Sequence, residues 1–227
     1  MIILSIDTSQ AASVALVDTE SGTVLAALQA DDQRRHVEFI GPALAKVLAH
    51  SAQPDLVVTG IGPGPFTGLR VGIAAAIAVG QARGIPVRGL LSQAALAEEL
   101  RRTNTQTKGP VLIAADARRK EVYFSVYESC DASLRAGPFV AKPTEVDGVL
   151  AAEGQTDISG RLGRGFLLYP EVLGQSSFPA IVDPRAEYLA FAAASEITAG
   201  RELAEPVPEY LREPDAKSTP VRESTLK

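Results

Sequence analysis

A glycine- and proline-rich turn between an apolar strand and an apolar helix constrains the fold more than any other feature of the sequence. The segment 55–61 is short, β-branched and bounded by turn residues, which is typical of a buried strand. In the turn at 62–65, prolines remove backbone donors and glycines permit positive φ. A helix is then predicted to begin at Pro65 or Thr67 and to end near Arg83. The pattern therefore predicts a strand, a sharp turn and a helix in direct succession.

The same turn could bind an anion, because free N–H groups and the helix dipole converge at a helix N-terminus. It matches neither of the two common nucleotide-binding motifs. The dinucleotide motif would need glycine at Pro65 or Thr67, and a Walker loop would need Gly-Lys-Ser/Thr. Two interpretations therefore stay open, a phosphate-binding turn and a tight connection that binds nothing.

The helix that follows has small residues at every fourth position. This glycine stripe consists of Gly68, Gly72, Ala76 and Gly80. Each interior glycine costs about 1 kcal/mol of helix stability relative to alanine, so close backbone approach is the expected compensation. The helix either lies tightly on its own sheet or receives a helix of another protein. In the second case, Gly72→Leu should block docking and leave the isolated fold largely intact. The apolar interval from Arg70 to Gln81 is well below the roughly 20 residues of a membrane span.

Composition narrows the class of protein. The chain has 227 residues, of which 46% are hydrophobic and 22% are charged, as in soluble globular proteins. The formal net charge of −5 argues against a protein that grips nucleic acid with its whole surface, so any such role would be local or indirect. Cys130 is the only cysteine, and the first residues lack the basic flank of a signal peptide. We therefore expect a cytoplasmic protein.

The order of predicted elements indicates an α/β protein built from two related halves. In the first half we predict strands at 2–6, 13–17, 23–28, 55–61 and 86–90, and helices at 33–50, 67–83 and 93–102. Asp31 or Asp32 is expected to cap the first helix, Pro42 to kink or delay it, and Ser92 to cap the third. This order is that of one half of an actin-like ATPase.

The second half begins like the first, which suggests an internal duplication. Strands are predicted at 110–115, 121–127 and 156–160, and helices at 143–152 and 187–201. We expect the polar segment 103–109 to form the boundary between the two halves. We therefore expect a two-lobed actin-like (ribonuclease H-like) fold with mixed β-sheets flanked by helices and a reduced second lobe. The predicted division is an N-terminal lobe at 1–105, a smaller lobe at 106–212 and a polar tail at 213–227.

In each half of the chain, one aspartate follows the first predicted strand and precedes a turn. Asp7 and Asp116 stand where an actin-like ATPase holds its phosphates and metal-bound water, and paired carboxylates would suit Mg²⁺. Aspartates at strand ends are also ordinary turn formers. His36 and His50 lie fourteen residues apart, which disfavours a metal site on one helix.

Two further segments carry possible contacts. The basic cluster 118–120 could touch RNA or an acidic partner, or it could be a solvated turn. The segment 210–212, which follows Pro208, could anchor the C-terminus on the body of the protein.

Five segments along the chain resemble the TsaB (YeaZ-type) family of threonylcarbamoyladenosine biosynthesis. They are 6–9 (IDTS), 13–16 (SVAL), 62–72 (GPGPFTGLRVG), 116–123 (DARRKEVY) and 208–212 (PEYLR). The block at 62–72 is highly specific, although Pro65 stands where serine is commoner in the family. The resemblance covers nearly the whole chain. It implies an actin-like fold and membership of the complex that modifies the adenosine next to the anticodon of tRNAs reading codons that begin with A.

The resemblance also implies partners and site residues. Family members pair with the catalytic relative TsaD, or with themselves, through their first two helices, and the ATPase TsaE joins the assembly. The partner-binding residues so implied are His36, Ile40, Leu44, Phe66, Gly68, Arg70, Gly72 and Ala76. A vestigial nucleotide site would consist of Asp7, Thr8, Ser9 and Asp116. No metal site and no cofactor beyond weak Mg-ATP binding are expected, tRNA would be contacted indirectly, and no membrane association is expected.

The leading hypothesis is therefore a non-catalytic subunit that binds and supports a TsaD-type enzyme. It rests on the family block and on the absence from this sequence of the two histidines, four residues apart, that carry the metal in TsaD. The alternative is an active actin-like Mg-ATP-dependent phosphotransferase or ATPase that uses Asp7 and Asp116. Titration with Mg-ATP would distinguish the two.

Overall fold

The computed structural model describes residues 1–30 and 36–212, and the first half of the chain forms a five-stranded mixed sheet. Its strands are β1 (Ile2–Asp7), β2 (Ser13–Asp18), β3 (Thr23–Gln29), β4 (Leu56–Gly60) and β5 (Val87–Leu90). They lie in the order β3-β2-β1-β4-β5. The first three strands are antiparallel, and β4 and β5 continue the sheet in parallel.

The second half forms a four-stranded sheet with the same topology. Its strands are β6 (Pro110–Asp116), β7 (Val122–Glu128), β8 (Leu134–Ala141) and β9 (Gly160–Leu162), in the order β8-β7-β6-β9. As in the first sheet, an antiparallel meander is followed by a strand parallel to its first member. The expected duplication of strand order and the expected mixed sheets are both confirmed.

Seven α-helices cover and separate the sheets in the described residues. They are α1 (His36–Val47), α2 (Phe66–Arg83), α3 (Gln93–Thr103), α4 (Val146–Ala152), α5 (Arg164–Leu168), α6 (Pro170–Leu173) and α7 (Ala186–Thr198). Helices α1 and α2 pack on one face of the first sheet, and α4 to α6 on the outer face of the second. Between the sheets, α7 contributes mainly to the core of the first sheet and α3 mainly to that of the second.

Several local predictions need correction. The strand expected at 156–160 instead spans Gly160–Leu162. Strand β8 was not predicted because Pro138 and Gly137 break its pattern, and a proline is tolerated there because β8 is an edge strand. Ser92 does not cap α3, since its backbone is already helical and its hydroxyl accepts the N–H of Gly62 at 3.1 Å.

The remaining local predictions either agree with the structure or fall on residues that it does not describe. Pro42 lies inside α1. The caps Asp31 and Asp32, the start at residue 33 and the tail 213–227 lie outside the described residues. The division of the chain into lobes at 105/106 stays a prediction. Helix α7, which follows this point in the sequence, packs against β1, β2 and β4 of the first sheet. No helix in the described residues is both long enough and apolar enough to cross a membrane.

Candidate functional site: the outer helix pair and the cleft between the sheets

The glycine stripe of α2 faces the interior of this protein. Gly68, Gly72, Ala76 and Gly80 are all buried. A Cβ at Gly68 would lie 2.7 Å from the carbonyl oxygen of Thr8, and one at Gly72 would overlap the Thr8 hydroxyl. The stripe therefore lets α2 approach the turn after β1. The inference that a foreign helix docks along these residues is wrong for the stripe itself, because its surface is already covered.

Thr8 fastens α2 to the first sheet. Its hydroxyl donates a hydrogen bond to the carbonyl oxygen of Gly68 at 2.7 Å and accepts one from the N–H of Gly72 at 3.2 Å. Both backbone groups are accessible because neither residue has a side chain. The family resemblance placed Thr8 in a vestigial nucleotide site. In the structure, Thr8 has a structural role.

Asp7 is fully buried at the end of β1. Its Oδ1 accepts hydrogen bonds from the N–H of Ser9 at 2.9 Å and from the Ser9 hydroxyl at 2.7 Å. Its Oδ2 has no hydrogen-bond partner of ordinary geometry among the described residues. Burial raises the pKa of Asp7, and the nearby hydroxyls of Ser92 and Ser9 oppose that rise. The ionised form of this carboxylate is therefore disfavoured by its surroundings.

Gln10 and Arg118 both contact Asp116. The Gln10 amide donates to the backbone carbonyl oxygen of Asp116 at 3.1 Å and so joins the two halves. The Asp116 carboxylate accepts the Arg118 N–H at 2.8 Å and pairs with the Arg118 guanidinium at 3.0 Å. With Asp7 buried and Asp116 paired, these residues do not fit a magnesium nucleotide in this conformation.

An apolar surface of small residues lies on the opposite, exposed side of the helix pair. The docking face consists of Val37, Gly41, Pro42 and Ala45 on α1 and of Ala74 and Ala78 on α2, all of them exposed. The two helices contact each other on the same side of the sheet. Between Arg70 and Gln81, the only exposed residues of α2 are these two alanines. Sequence reasoning missed this face because it took the glycine stripe for the outer surface.

The residues assigned to partner binding divide between the two sides of the helix pair. Ile40 and Leu44 are buried in the core under α1. His36 is half-buried, and its Nε2 lies 2.7 Å from the carbonyl oxygen of Gln10. Phe66 is half-buried and Arg70 is exposed, so these two remain accessible at the start of α2. Partner binding through the helix pair stays a prediction.

The C-terminal strap, residues 203–212, crosses both halves, as the sequence suggested for its last residues. The Tyr210 ring lies 4.5 Å from the Phe66 ring, and its hydroxyl accepts a hydrogen bond from Arg70 Nε at 2.8 Å. Arg212 donates to the carbonyl oxygen of Ala117 at 2.9 Å and pairs with Glu121. The strap therefore ties the start of α2 to the turn between β6 and β7.

Comparison with known proteins assigns the chain to a family. Residues 24–221 match the family model described as TsaD, tRNA N6-adenosine threonylcarbamoyltransferase. The Escherichia coli tRNA threonylcarbamoyladenosine biosynthesis protein TsaB is 33% identical over 93% of this chain and 95% of its own length. An uncharacterized protein of Mycobacterium tuberculosis is 37% identical over 95% of this chain and 93% of its own length. An uncharacterized protein of Mycobacterium leprae is 42% identical over 64% of this chain and 40% of its own length.

A solved structure supports the same assignment. The structure described as YeaZ from Pseudomonas aeruginosa superposes with a TM-score of 0.69 at 28% identity, covering 92% of this chain and 99% of that chain. Together with the duplicated mixed sheets, the match supports the actin-like fold expected from the sequence. The chain belongs to the TsaB (YeaZ-type) family, whose members share the actin-like ATPase fold.

Proposed function

We propose that this protein is a non-catalytic subunit in tRNA threonylcarbamoyladenosine biosynthesis, and that its docking face binds a TsaD-type catalytic subunit. The names of the relatives support the pathway, because the Escherichia coli protein is described as a biosynthesis protein for this modification. The match to the TsaD family model supports a partner of similar structure. An ATPase of the TsaE type would join the assembly.

The observation that carries the proposal is the small-residue composition of the docking face, which on α2 exposes no charge between Arg70 and Gln81. On α1, the exposed Glu38 and Lys46 border the face on either side of Pro42. Exposed positions of a surface helix usually carry charged side chains, whereas Ala74 and Ala78 expose methyl groups and backbone. Small side chains allow two helices to approach to the short end of the usual 8–10 Å range between helix axes. The exposed Val37, of which 72% is accessible, offers an apolar anchor at one end. A helix pair of similar composition would complete a four-helix bundle.

A charge placed in the middle of the docking face tests the proposal. Ala78→Glu would bury a carboxylate against the partner, which costs several kcal/mol unless the charge is paired. The matched control is Ala151→Glu, which makes the same change at an exposed position of α4 on the other half. Both variants are expected to fold like the wild type, as judged by circular dichroism and thermal unfolding.

The measurement is co-elution with the purified TsaD-type subunit, followed by an assay of modified tRNA. We expect the wild type and Ala151→Glu to co-elute and to raise modification activity, and Ala78→Glu to do neither. Co-elution of Ala78→Glu at wild-type affinity would show that the docking face is not the interface. Size measurements of the chain alone test self-association through the same face, which Ala78→Glu should abolish.

A further inference from the structure

Arg70 lies at one end of the docking face, in line with the two exposed alanines of α2. Arg70, Ala74 and Ala78 follow one another at intervals of four residues, and all three are exposed. Residues that are four apart in a helix lie on the same face. A partner that covers Ala74 and Ala78 would therefore also meet the guanidinium of Arg70.

The C-terminal strap holds the Arg70 side chain in one position. Arg70 Nε donates a hydrogen bond to the Tyr210 hydroxyl at 2.8 Å, and its Cζ lies 5.9 Å from the centre of the Phe66 ring and 5.7 Å from that of the Tyr210 ring. Neither terminal Nη group of Arg70 has a hydrogen-bond partner among the described residues. Because the side chain is already ordered, its two Nη groups would lose little conformational entropy when they bind a ligand.

The charge of Arg70 is not neutralised within the described part of the chain. No carboxylate among residues 1–30 and 36–212 pairs with it. The helix positions three and four residues away carry no acidic side chain. They are Phe66, Thr67, Ile73 and Ala74. By contrast, Arg164 and Arg201 each donate two hydrogen bonds to one carboxylate of this chain. Arg70 is thus an ordered cation that lacks such a partner.

Docking of a helix pair would remove water from Arg70. A charged side chain that is buried without a counter-charge is strongly unfavourable, so a partner that covers this end of the face must compensate the guanidinium. The two Nη groups can donate parallel hydrogen bonds to the two oxygens of a carboxylate. One acidic side chain on the partner would therefore satisfy both the charge and the free donors.

We propose that Arg70 binds a carboxylate side chain of the TsaD-type partner and that Tyr210 positions it, an inference that rests on the proposed function. A carboxylate is favoured over a phosphate of RNA because nucleic-acid backbones are held by several cations. The next cation of α2 after Arg70 is Arg83, about 20 Å further along the helix. The exposed side chains between them include the methyl groups of Ala74 and Ala78, which suit a packed helix.

Replacement of Arg70 tests the charge. The affinity of the full-length chain for the purified TsaD-type subunit would be measured by calorimetry at several salt concentrations, without tRNA or nucleotide. The test variants are Arg70→Gln, which removes the charge, and Arg70→Glu, which reverses it. The control is Arg135→Gln, which removes the charge of an exposed arginine of β8 on the other half. Circular dichroism and thermal unfolding would verify that all variants fold.

Arg70→Gln should weaken binding about 10- to 100-fold and reduce its salt dependence, because a charge-assisted pair is lost. Arg70→Glu should weaken binding further, since two carboxylates would then face each other. The control should bind like the wild type. Wild-type affinity of Arg70→Gln, or equal weakening by the glutamine and glutamate variants, would overturn the carboxylate contact.

Tyr210→Phe tests the positioning role, because it keeps the ring and the charge of Arg70 but removes the hydrogen bond between them. It should weaken binding about 3- to 10-fold in the wild type and have no effect in the Arg70→Gln background. An equal loss in both backgrounds would show that Tyr210 acts independently of Arg70, and the positioning role would be rejected.

Ala78→Glu separates failure of this inference from failure of the proposed function. If Ala78→Glu loses binding while both Arg70 variants bind normally, the docking face remains the interface and the carboxylate contact is rejected. If the wild type does not bind the TsaD-type subunit, or Ala78→Glu binds it at wild-type affinity, the proposed function is rejected and the Arg70 contact with it.

Discussion

The Thr8 hydroxyl occupies the space that a side chain at Gly72 would need. Its oxygen accepts the Gly72 N–H at 3.2 Å, and a Cβ at residue 72 would overlap it. Helix α2 can therefore rest on the turn after β1 only where it lacks a side chain. The expectation that Gly72→Leu leaves the isolated fold intact is wrong, because that side chain would enter the core.

We predict that Gly72→Ala destabilises the protein. Overpacking of a tight contact costs about 1–3 kcal/mol, and the higher helix propensity of alanine returns at most about 1 kcal/mol. The net decrease in unfolding free energy should be about 1–2 kcal/mol, measured by urea unfolding. The double variant Thr8→Ala/Gly72→Ala should be destabilised by less than the sum of its single changes, because the two residues are in direct contact.

Gly148→Ala is the control for this prediction. It lies in α4, where a Cβ would meet nothing within 4 Å, so the change should be neutral or slightly stabilising. If Gly72→Ala proved as stable as Gly148→Ala, the close contact with Thr8 would not limit the packing of α2.

The strand order was predictable from the sequence, whereas the orientation of α2 was not. Apolar strands and turn residues mark β1 to β7 closely, with small errors at their ends. Between Arg70 and Gln81 helix α2 offers no polar face, because alanines occupy its exposed positions 74 and 78. In this stretch periodicity shows which residues share a face but not which face is buried. The docking face was missed for the same reason. The packing of α7 on the first sheet is a long-range contact that no local pattern encodes.

Asp7→Asn should stabilise the folded protein at neutral pH. Because burial raises the pKa of Asp7 above its unfolded value, the neutral form favours folding at acidic pH, and this contribution is lost as pH rises through the raised pKa. Asparagine stays neutral and can still accept the Ser9 hydrogen bonds. We expect a gain in unfolding free energy at pH 8 that shrinks toward pH 4, measured by urea unfolding.

Calorimetric titration with Mg-ATP gives an independent check on Asp7. The burial of Asp7 and the pairing of Asp116 with Arg118 predict no strong binding to the wild type. A large binding heat that Asp7→Asn abolishes would instead support the alternative of an active phosphotransferase or ATPase.

Glu99 should make stability depend on pH. Burial between α3 and α7 raises its pKa to about 7, against the attraction of Arg185. The folded pKa exceeds the unfolded one, so the contribution is complete below about pH 4.5 and is lost as pH rises through 7. We expect the unfolding free energy to fall by about 1–2 kcal/mol between pH 5 and pH 8 on this account. Glu99→Gln should remove this fall, whereas Glu145→Gln, at an exposed carboxylate, should retain it.

The Tyr210 ring should hold the C-terminal strap on α2. Tyr210→Ala removes the ring contact with Phe66 and the hydrogen bond from Arg70, for an expected decrease of about 1–2 kcal/mol in unfolding free energy. Tyr210→Phe removes only the hydrogen bond, so its decrease should be about 0.5–1 kcal/mol. Limited proteolysis within 203–212 should be faster for the alanine variant and close to wild type for the phenylalanine variant.

The alanine variants of Tyr210 and Arg212 separate the two anchors of the strap. Arg212 fixes the end of the strap to the turn between β6 and β7, so it should keep the last residues in place when Tyr210 is replaced. Cleavage in Tyr210→Ala should therefore concentrate before residue 210, and in Arg212→Ala it should concentrate after it. Equal cleavage patterns in the two alanine variants would mean that the strap detaches as one unit. In that case the start of α2 and the second half of the chain are coupled through it as a whole.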